Sequence, residues 1–196
     1  KKAVEDDWVP EANLQEDENS DISYLLTQAQ RQTLAAKALP ISVADRRWKR
    51  LYSLERDGDS FESFLDKVNG EAPTLIVVKT TKGHIFGGYA DHEWKRQKDY
   101  YGSGQACLFQ LSGDETGSLV VYKWTGANRL VQHIDGNKSR IIMGAGDTGG
   151  LGLCVEDNFC RGSTSRCETF DNEPLCPDGV FDVMSFEVYG FVRGAF

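Results

Sequence analysis

From residue 74 onward the chain shows no helical periodicity. Short apolar stretches recur instead, parted by glycine, asparagine and aspartate. The pattern predicts strands at 74–79, 84–89, 106–111, 119–122, 131–135, 141–143, 151–155 and 185–192. Thr80-Thr81-Lys82-Gly83 reads as a hairpin turn, and Gly113-Asp114, Thr125-Gly126 and Asp135-Gly136-Asn137 as further turns. Strands are not interleaved with helices, so a parallel α/β sheet is excluded. The expectation is an α+β fold: antiparallel sheets packed as a sandwich and flanked by helices.

The helices come first. Ser20 or Asp21 can cap a helix whose apolar positions are Ile22, Leu25, Leu26 and Ala29, and Pro40 ends it. Ser42 with Asp45 resembles a capping box, with Ala44, Trp48 and Leu51 on one face of the helix that follows. After a turn at Arg56-Asp57-Gly58-Asp59, Asp59 and Glu62 cap a third helix carrying Phe61, Phe64, Leu65 and Val68. The chain thus divides into an acidic flexible lead-in (1–19), an N-terminal helical segment (20–40) and the main domain (41–196). Trp8 and Val9 are the only residues of the lead-in suited to docking.

The 196 residues carry 22 basic and 30 acidic side chains, net −8. Acidic ends flank a mildly basic middle, which suits protein partners and opposes nucleic acid, whose phosphates need basic surface. No apolar run approaches the roughly 18 residues of a membrane helix, so direct membrane insertion is not expected. Five cysteines without a regular framework point to a reducing, intracellular and cytoplasmic setting. No metal or cofactor is expected: no cysteines are spaced CxxC and the three histidines form no helical pair.

Several motifs have plainer explanations than chemistry. Asp57 and Asp59 do not continue as a calcium loop, because Phe61 and Glu62 stand where a ligand and a glycine belong. Residues 144–149 fit GxGxxG, but alternating Gly150-Leu151-Gly152-Leu153 follows instead of the helix that would hold a pyrophosphate. Ser163, Ser165, Cys167 and His133 are not placed as nucleophile and base by any elbow motif. Asp91-His92-Glu93 reads as a solvated loop.

Two groups of residues remain as candidates. Trp94, Lys95, Arg96, Lys98 and Tyr100 form the densest basic and aromatic stretch, the composition of a protein interface. Cys160, Cys167 and Cys176 lie close in sequence, with Arg161 and Arg166 beside two of them, and are candidate redox thiols.

Residues 48–190 resemble the TLDc domain family, the family of the oxidation-resistance proteins. Matching elements are Trp48, Leu51-Tyr52-Ser53, Gly58-Asp59-Ser60-Phe61 and Thr74-Leu75-Ile76-Val77-Val78. Ile85-Phe86-Gly87-Gly88-Tyr89, Tyr101-Gly102-Ser103-Gly104 and Tyr122-Lys123-Trp124-Thr125-Gly126 follow. Gly144-Ala145-Gly146, Gly150-Leu151-Gly152-Leu153, Cys167, Thr169-Phe170 and Phe186-Glu187-Val188 complete the set. Gly87, Gly88, Gly102, Trp124, Gly144, Gly150, Gly152, Phe170 and Glu187 are accordingly assigned structural roles.

The resemblance implies a sandwich of two antiparallel sheets flanked by helices, and no catalytic residue. It implies binding to the vacuolar proton-pumping ATPase, at its catalytic-head and peripheral-stalk subunits, and a link to oxidative-stress protection. Family members either promote disassembly of that pump or regulate it without disassembly. Recruitment to vacuolar or lysosomal membranes would then pass through the pump. Two alternatives stand beside this: a cysteine-dependent peroxide scavenger, and an accessory domain of a TBC-type membrane-traffic regulator.

Overall fold

A computed structural model describes residues 8–18, 20–112, 117–156 and 158–193. Residues 1–7 and 19 of the acidic lead-in and the turn expected at Gly113-Asp114 lie outside the described residues. The elements are β1 (Leu14–Gln15), α1 (Gln28–Lys37), α2 (Ile41–Ala44), β2 (Arg47–Ser53), α3 (Leu54–Asp57) and α4 (Phe61–Val68). Strands β3 (Thr74–Thr80), β4 (Ile85–Ala90), β5 (Cys107–Leu111) and β6 (Leu119–Lys123) follow. The chain closes with β7 (Gln132–Asp135), β8 (Arg140–Met143), β9 (Leu153–Glu156), β10 (Arg161–Ser163) and β11 (Val180–Val192).

Two sheets form, and β11 belongs to both. In the first, the order is β6-β5-β4-β3-β11-β2, antiparallel throughout, with β1 added in parallel outside β2. In the second, the start of β11 continues through β10, β9 and β8 to β7. A break in register at Met184 marks the passage of β11 from one sheet to the other.

Alternation along the strands builds two apolar layers. Ile76, Val78, Phe86, Leu108, Phe186 and Val188 face Ile134, Ile141, Met143, Leu153 and Val155 of the second sheet. Phe61, Phe64 and Val68 of α4 close that layer, packed with Phe159 and Tyr52. On the other face of the first sheet, Leu75, Val77, Tyr89, Phe109 and Tyr189 receive Leu26, Leu34, Ala35, Leu39 and Val43 from the helical segment. The fold is the expected α+β sandwich of antiparallel sheets with flanking helices.

Several local expectations are corrected. Residues 47–53 are a strand, not a helix. The spacing of Trp48 and Leu51 arises from a β-bulge: Tyr52 pairs with Val188 and Arg50 with Tyr189, leaving Leu51 extra. Trp48 therefore joins the helix-side layer, and Leu51 and Tyr52 the layer between the sheets. Helix α1 begins at Gln28, not near residue 20. Thr27 caps it by accepting from the Gln30 N–H, and the Gln30 side chain accepts from the Thr27 N–H in return. Pro40 stands before α2 without a side-chain cap, so Ser42 and Asp45 make no capping box. Ser60, one residue after Asp59, caps α4. Residues 8–18 dock on the first sheet, but through Ala12, Leu14 and Asp17. Trp8 and Val9 are exposed.

The glycine-rich segment is a loop between β8 and β9. Gly144 has φ +77°, where a side chain is strained, and a Cβ there would meet Cys167 Sγ and Phe170 at 2.7 Å. Ala145 N–H donates to Thr169 Oγ1 (3.0 Å), whose single hydroxyl proton has Asn128 Oδ1 (2.9 Å) and the Ala145 carbonyl (2.8 Å) within reach as acceptors. The loop is pinned from Asn128 and Thr169, and no helix starts at it.

Candidate functional site

The basic stretch 94–101 crosses from β4 toward β7, where Tyr101 bridges to Gln132. Its aromatics do not face outward together. Trp94 is buried and donates its indole N–H to Thr74 Oγ1 (3.1 Å), so Trp94 is a core anchor and not an interface residue. Burial of an indole costs little when its one donor is satisfied, which here places it beneath the loop. Tyr100 is half-buried and stacks on His133, with ring centroids 4.8 Å apart at 26°. Burial pushes its phenol up. Tyr101 braces the turn, accepting from the Lys95 N–H and donating to the Lys95 carbonyl.

The cationic side chains do point outward. Lys95, Arg96 and Lys98 are exposed. Lys95 pairs with Glu93 at 3.1 Å, and Arg96 makes a two-point ion pair with Glu62 on α4. The same guanidinium lies 5.8 Å from the Phe61 ring centroid, so Arg96 ties the loop to α4. Between residues 96–98 and 133–137 opens a shallow cleft of about 400 Å³. Asp135, on its far wall, is paired with Arg140 at 2.7 Å. The arrangement places the exposed Arg96 and Lys98 side chains at the cleft with Lys95 beside them, a charge pattern that can attract an acidic protein surface.

The candidate thiols are not assembled. All five cysteines are free; Cys160 is exposed, while Cys167 and Cys176 are buried. Burial pushes both buried thiols up, away from thiolate chemistry, and holds Cys107 and Cys154 at about 11. Cys167 Sγ lies 3.2 Å from Asn172 Oδ1, beneath Gly144 and Gly152.

Nucleophile–base geometry is also missing from the residues with that potential. His133, Ile142, Cys154 and Ser163 occupy one row across four strands, so His133 and Ser163 are three strand spacings apart, roughly 14 Å. Ser103 donates to Asp91, and Nδ1 of the exposed His92 lies 3.2 Å from the same carboxylate, so serine and histidine converge on one carboxylate instead of on each other. Among the described residues no three His, Cys, Asp or Glu side chains are grouped to hold a metal ion, and no helix is long and apolar enough to cross a membrane.

An ionic cluster missed in the sequence lies on the helix side of the first sheet. Arg50, on β2, is fully buried and donates to Asp17 (Nε, 2.8 Å), to Glu187 (Nη1, 2.9 Å) and to the carbonyls of Ile22 and Ser23. Its guanidinium also lies 4.2 Å from the Tyr24 ring centroid. Burial opposes the Arg50 charge, but the two carboxylates outweigh it and hold the group protonated. Glu187 further accepts from the Leu25 N–H and from Tyr189. Arg56 donates to Asp17 and to Asp57. Burial pushes the Asp57 carboxyl up, but Arg56 and the Ser53 N–H together bring it below the ordinary carboxylate value. The signals present were an arginine between Trp48 and Leu51-Tyr52 and a lone glutamate in the apolar stretch 186–192.

The family model of the TLDc domain matches residues 19–192. The GTPase-activating protein skywalker of Drosophila melanogaster is 31% identical over 170 residues, covering 79% of this chain and 28% of that protein. Human nuclear receptor coactivator 7 is 32% identical over 157 residues, covering 80% of this chain and 16% of its own length. Rat oxidation resistance protein 1 is 28% identical over 173 residues, 88% of this chain and 20% of that protein. The chain thus spans less than a third of each of these relatives.

Proposed function

The chain belongs to the TLDc domain family, and from that premise we propose that it is a non-catalytic interaction domain that binds and regulates the vacuolar proton-pumping ATPase. The reading includes a role in oxidative-stress protection, which the name of the relative oxidation resistance protein 1 supports. The observation that carries it is the match over residues 19–192, and the exposed Lys95, Arg96 and Lys98 support it. The partners would be the pump's catalytic-head and peripheral-stalk subunits, and recruitment to vacuolar or lysosomal membranes would follow from that contact. Lys95, Arg96, Lys98 and the half-buried Tyr100 are the proposed contact residues. Glu187 and the glycines at 87, 88, 102, 144, 150 and 152, with Trp124 and Phe170, would hold the scaffold that presents them.

A binder shifts the pump between assembled and disassembled states only by preferring one of them. Affinity capture from a lysate tests both the partner and the patch. The wild-type chain should recover head and stalk subunits, and less of them at high salt, since exposed charges are screened. The triple variant Lys95→Glu/Arg96→Glu/Lys98→Glu should recover at least tenfold less. Undiminished capture by the variant removes the patch and leaves the partner. No capture by folded wild-type chain removes the partner.

A further inference from the structure

We infer that the outer edge of β2, with Arg50 and Arg56, is a docking site for an extended acidic segment of a partner protein. Residues 13–17 of this chain occupy it as an intramolecular ligand.

The first sheet ends at β2, whose outer edge is paired, among the described residues, only with the two residues of β1. Leu14 stands opposite Trp48 and Gln15 opposite Lys49, and the Trp48 N–H donates to the Asn13 carbonyl at 2.8 Å. An edge strand with free backbone groups takes an added strand, and side-chain pockets then set which sequence fits. Here two such features lie three residues apart. Leu14 packs against the helix-side layer. Asp17, with its side chain 8% exposed, receives Arg50 Nε at 2.8 Å and Arg56 Nη1 at 2.7 Å. The occupant this selects is an aliphatic residue followed three positions later by a carboxylate.

The socket does not depend on the strap for its shape. Arg50 is held from beneath by Glu187 and by the Ile22 and Ser23 carbonyls, and Arg56 by Asp57 and the Leu51 carbonyl. Removing Asp17 would leave donors of both guanidiniums aimed at one vacated position, which favours a replacement carboxylate. A cavity of about 510 Å³ runs on from Asp17; with the strap's own Glu16, Asp17 and Glu18 displaced, its charged lining is Lys49, Arg50, Arg56 and Lys67 against Asp57 and Glu71, a cationic excess for an incoming segment. The strap's backbone pairing with β2 is a ladder of two residues, and its other ties include the Ala12 carbonyl on Arg31 and Asp17 on the two arginines; so short a ladder is the kind of contact that opens locally before the fold does.

The test uses the full chain and, as probe, a labelled peptide of residues 8–18, read by fluorescence anisotropy. A chain carrying Leu14→Ala and Asp17→Ala loosens the strap and keeps the socket. It should bind the peptide at least tenfold more tightly than the wild-type chain, and a peptide with Asn for Asp17 should lose that gain. Equal binding by both chains, or indifference to the Asp17→Asn change, overturns the inference. Hydrogen exchange on the wild-type chain is an independent check should the variant not fold. The Trp48 amide should exchange faster than those of β3 and independently of low urea; exchange only with global unfolding also overturns the inference. Either failure leaves the pump reading untouched.

Discussion

Arg50 holds a full charge inside the molecule, and its worth lies in the completeness of its pairing. Taking two ions out of water costs several kcal/mol each, so such a pair adds little net stability, whereas removing one partner strands the other. Glu187 is that partner, and it also accepts from Leu25 and Tyr189. Glu187→Ala should therefore cost about 3 kcal/mol. In a chain of this size that lowers the calorimetric midpoint by roughly 6–12 °C. The exposed pair Lys82–Asp178 is the contrast, since water and salt already screen it; Asp178→Ala should leave the midpoint unmoved. A midpoint equally insensitive to Glu187→Ala would show that Arg50 finds other compensation. The sequence marks Glu187 as a motif residue but not its role, because the partner lies 137 positions away. Trp94 shows the same limit at the candidate site. Composition identifies the basic and aromatic stretch, but only the hydrogen bond to Thr74 tells which side of the loop faces in.

At the scale of elements, local chemistry was readable where it was strong. The run 74–78 alternates between two buried layers and reads as a strand without tertiary help, and Gly83 at φ +88° closes the expected turn. Strand β2 was not readable, because the bulge at Leu51 puts Trp48 and Leu51 at helical spacing while sending them to opposite faces. The same ambiguity displaced the start of α1. Apolar Ile22, Leu25 and Leu26 extend the periodic pattern backward, but the segment 20–26 is spent on Arg50 and Glu187 instead of on helix. Helix α1 starts where its cap is, at Thr27. Thr27→Ala breaks one side of the reciprocal cap and should cost about 1 kcal/mol in urea unfolding. Thr27→Ser should keep the wild-type value. An unchanged midpoint in the alanine variant would mean that packing of Leu34 and Ala35 alone sets the helix register.

At the scale of the whole molecule, the first sheet is shared property. One face builds the layer between the sheets and the other the layer under α1 and α2, so neither layer exists unless β3, β4, β5 and β11 are in place. The segment 20–40, separate in the sequence by its helical pattern, supplies Leu26, Leu34 and Ala35 to the second layer. A shared sheet couples the two layers, and coupled layers melt together. Leu34→Ala, on the helix side, should cost about 3 kcal/mol, and Phe64→Ala, between the sheets, about 4 kcal/mol. Each should shift one and the same transition, followed in parallel by far-ultraviolet dichroism and tryptophan fluorescence. If Leu34→Ala instead splits off an early transition while the Phe64 layer keeps its wild-type midpoint, the helical segment is a separable cover. The strap that ends in Asp17 would then open as part of that cover, because Arg31 of α1 donates to the Ala12 carbonyl and ties the two together.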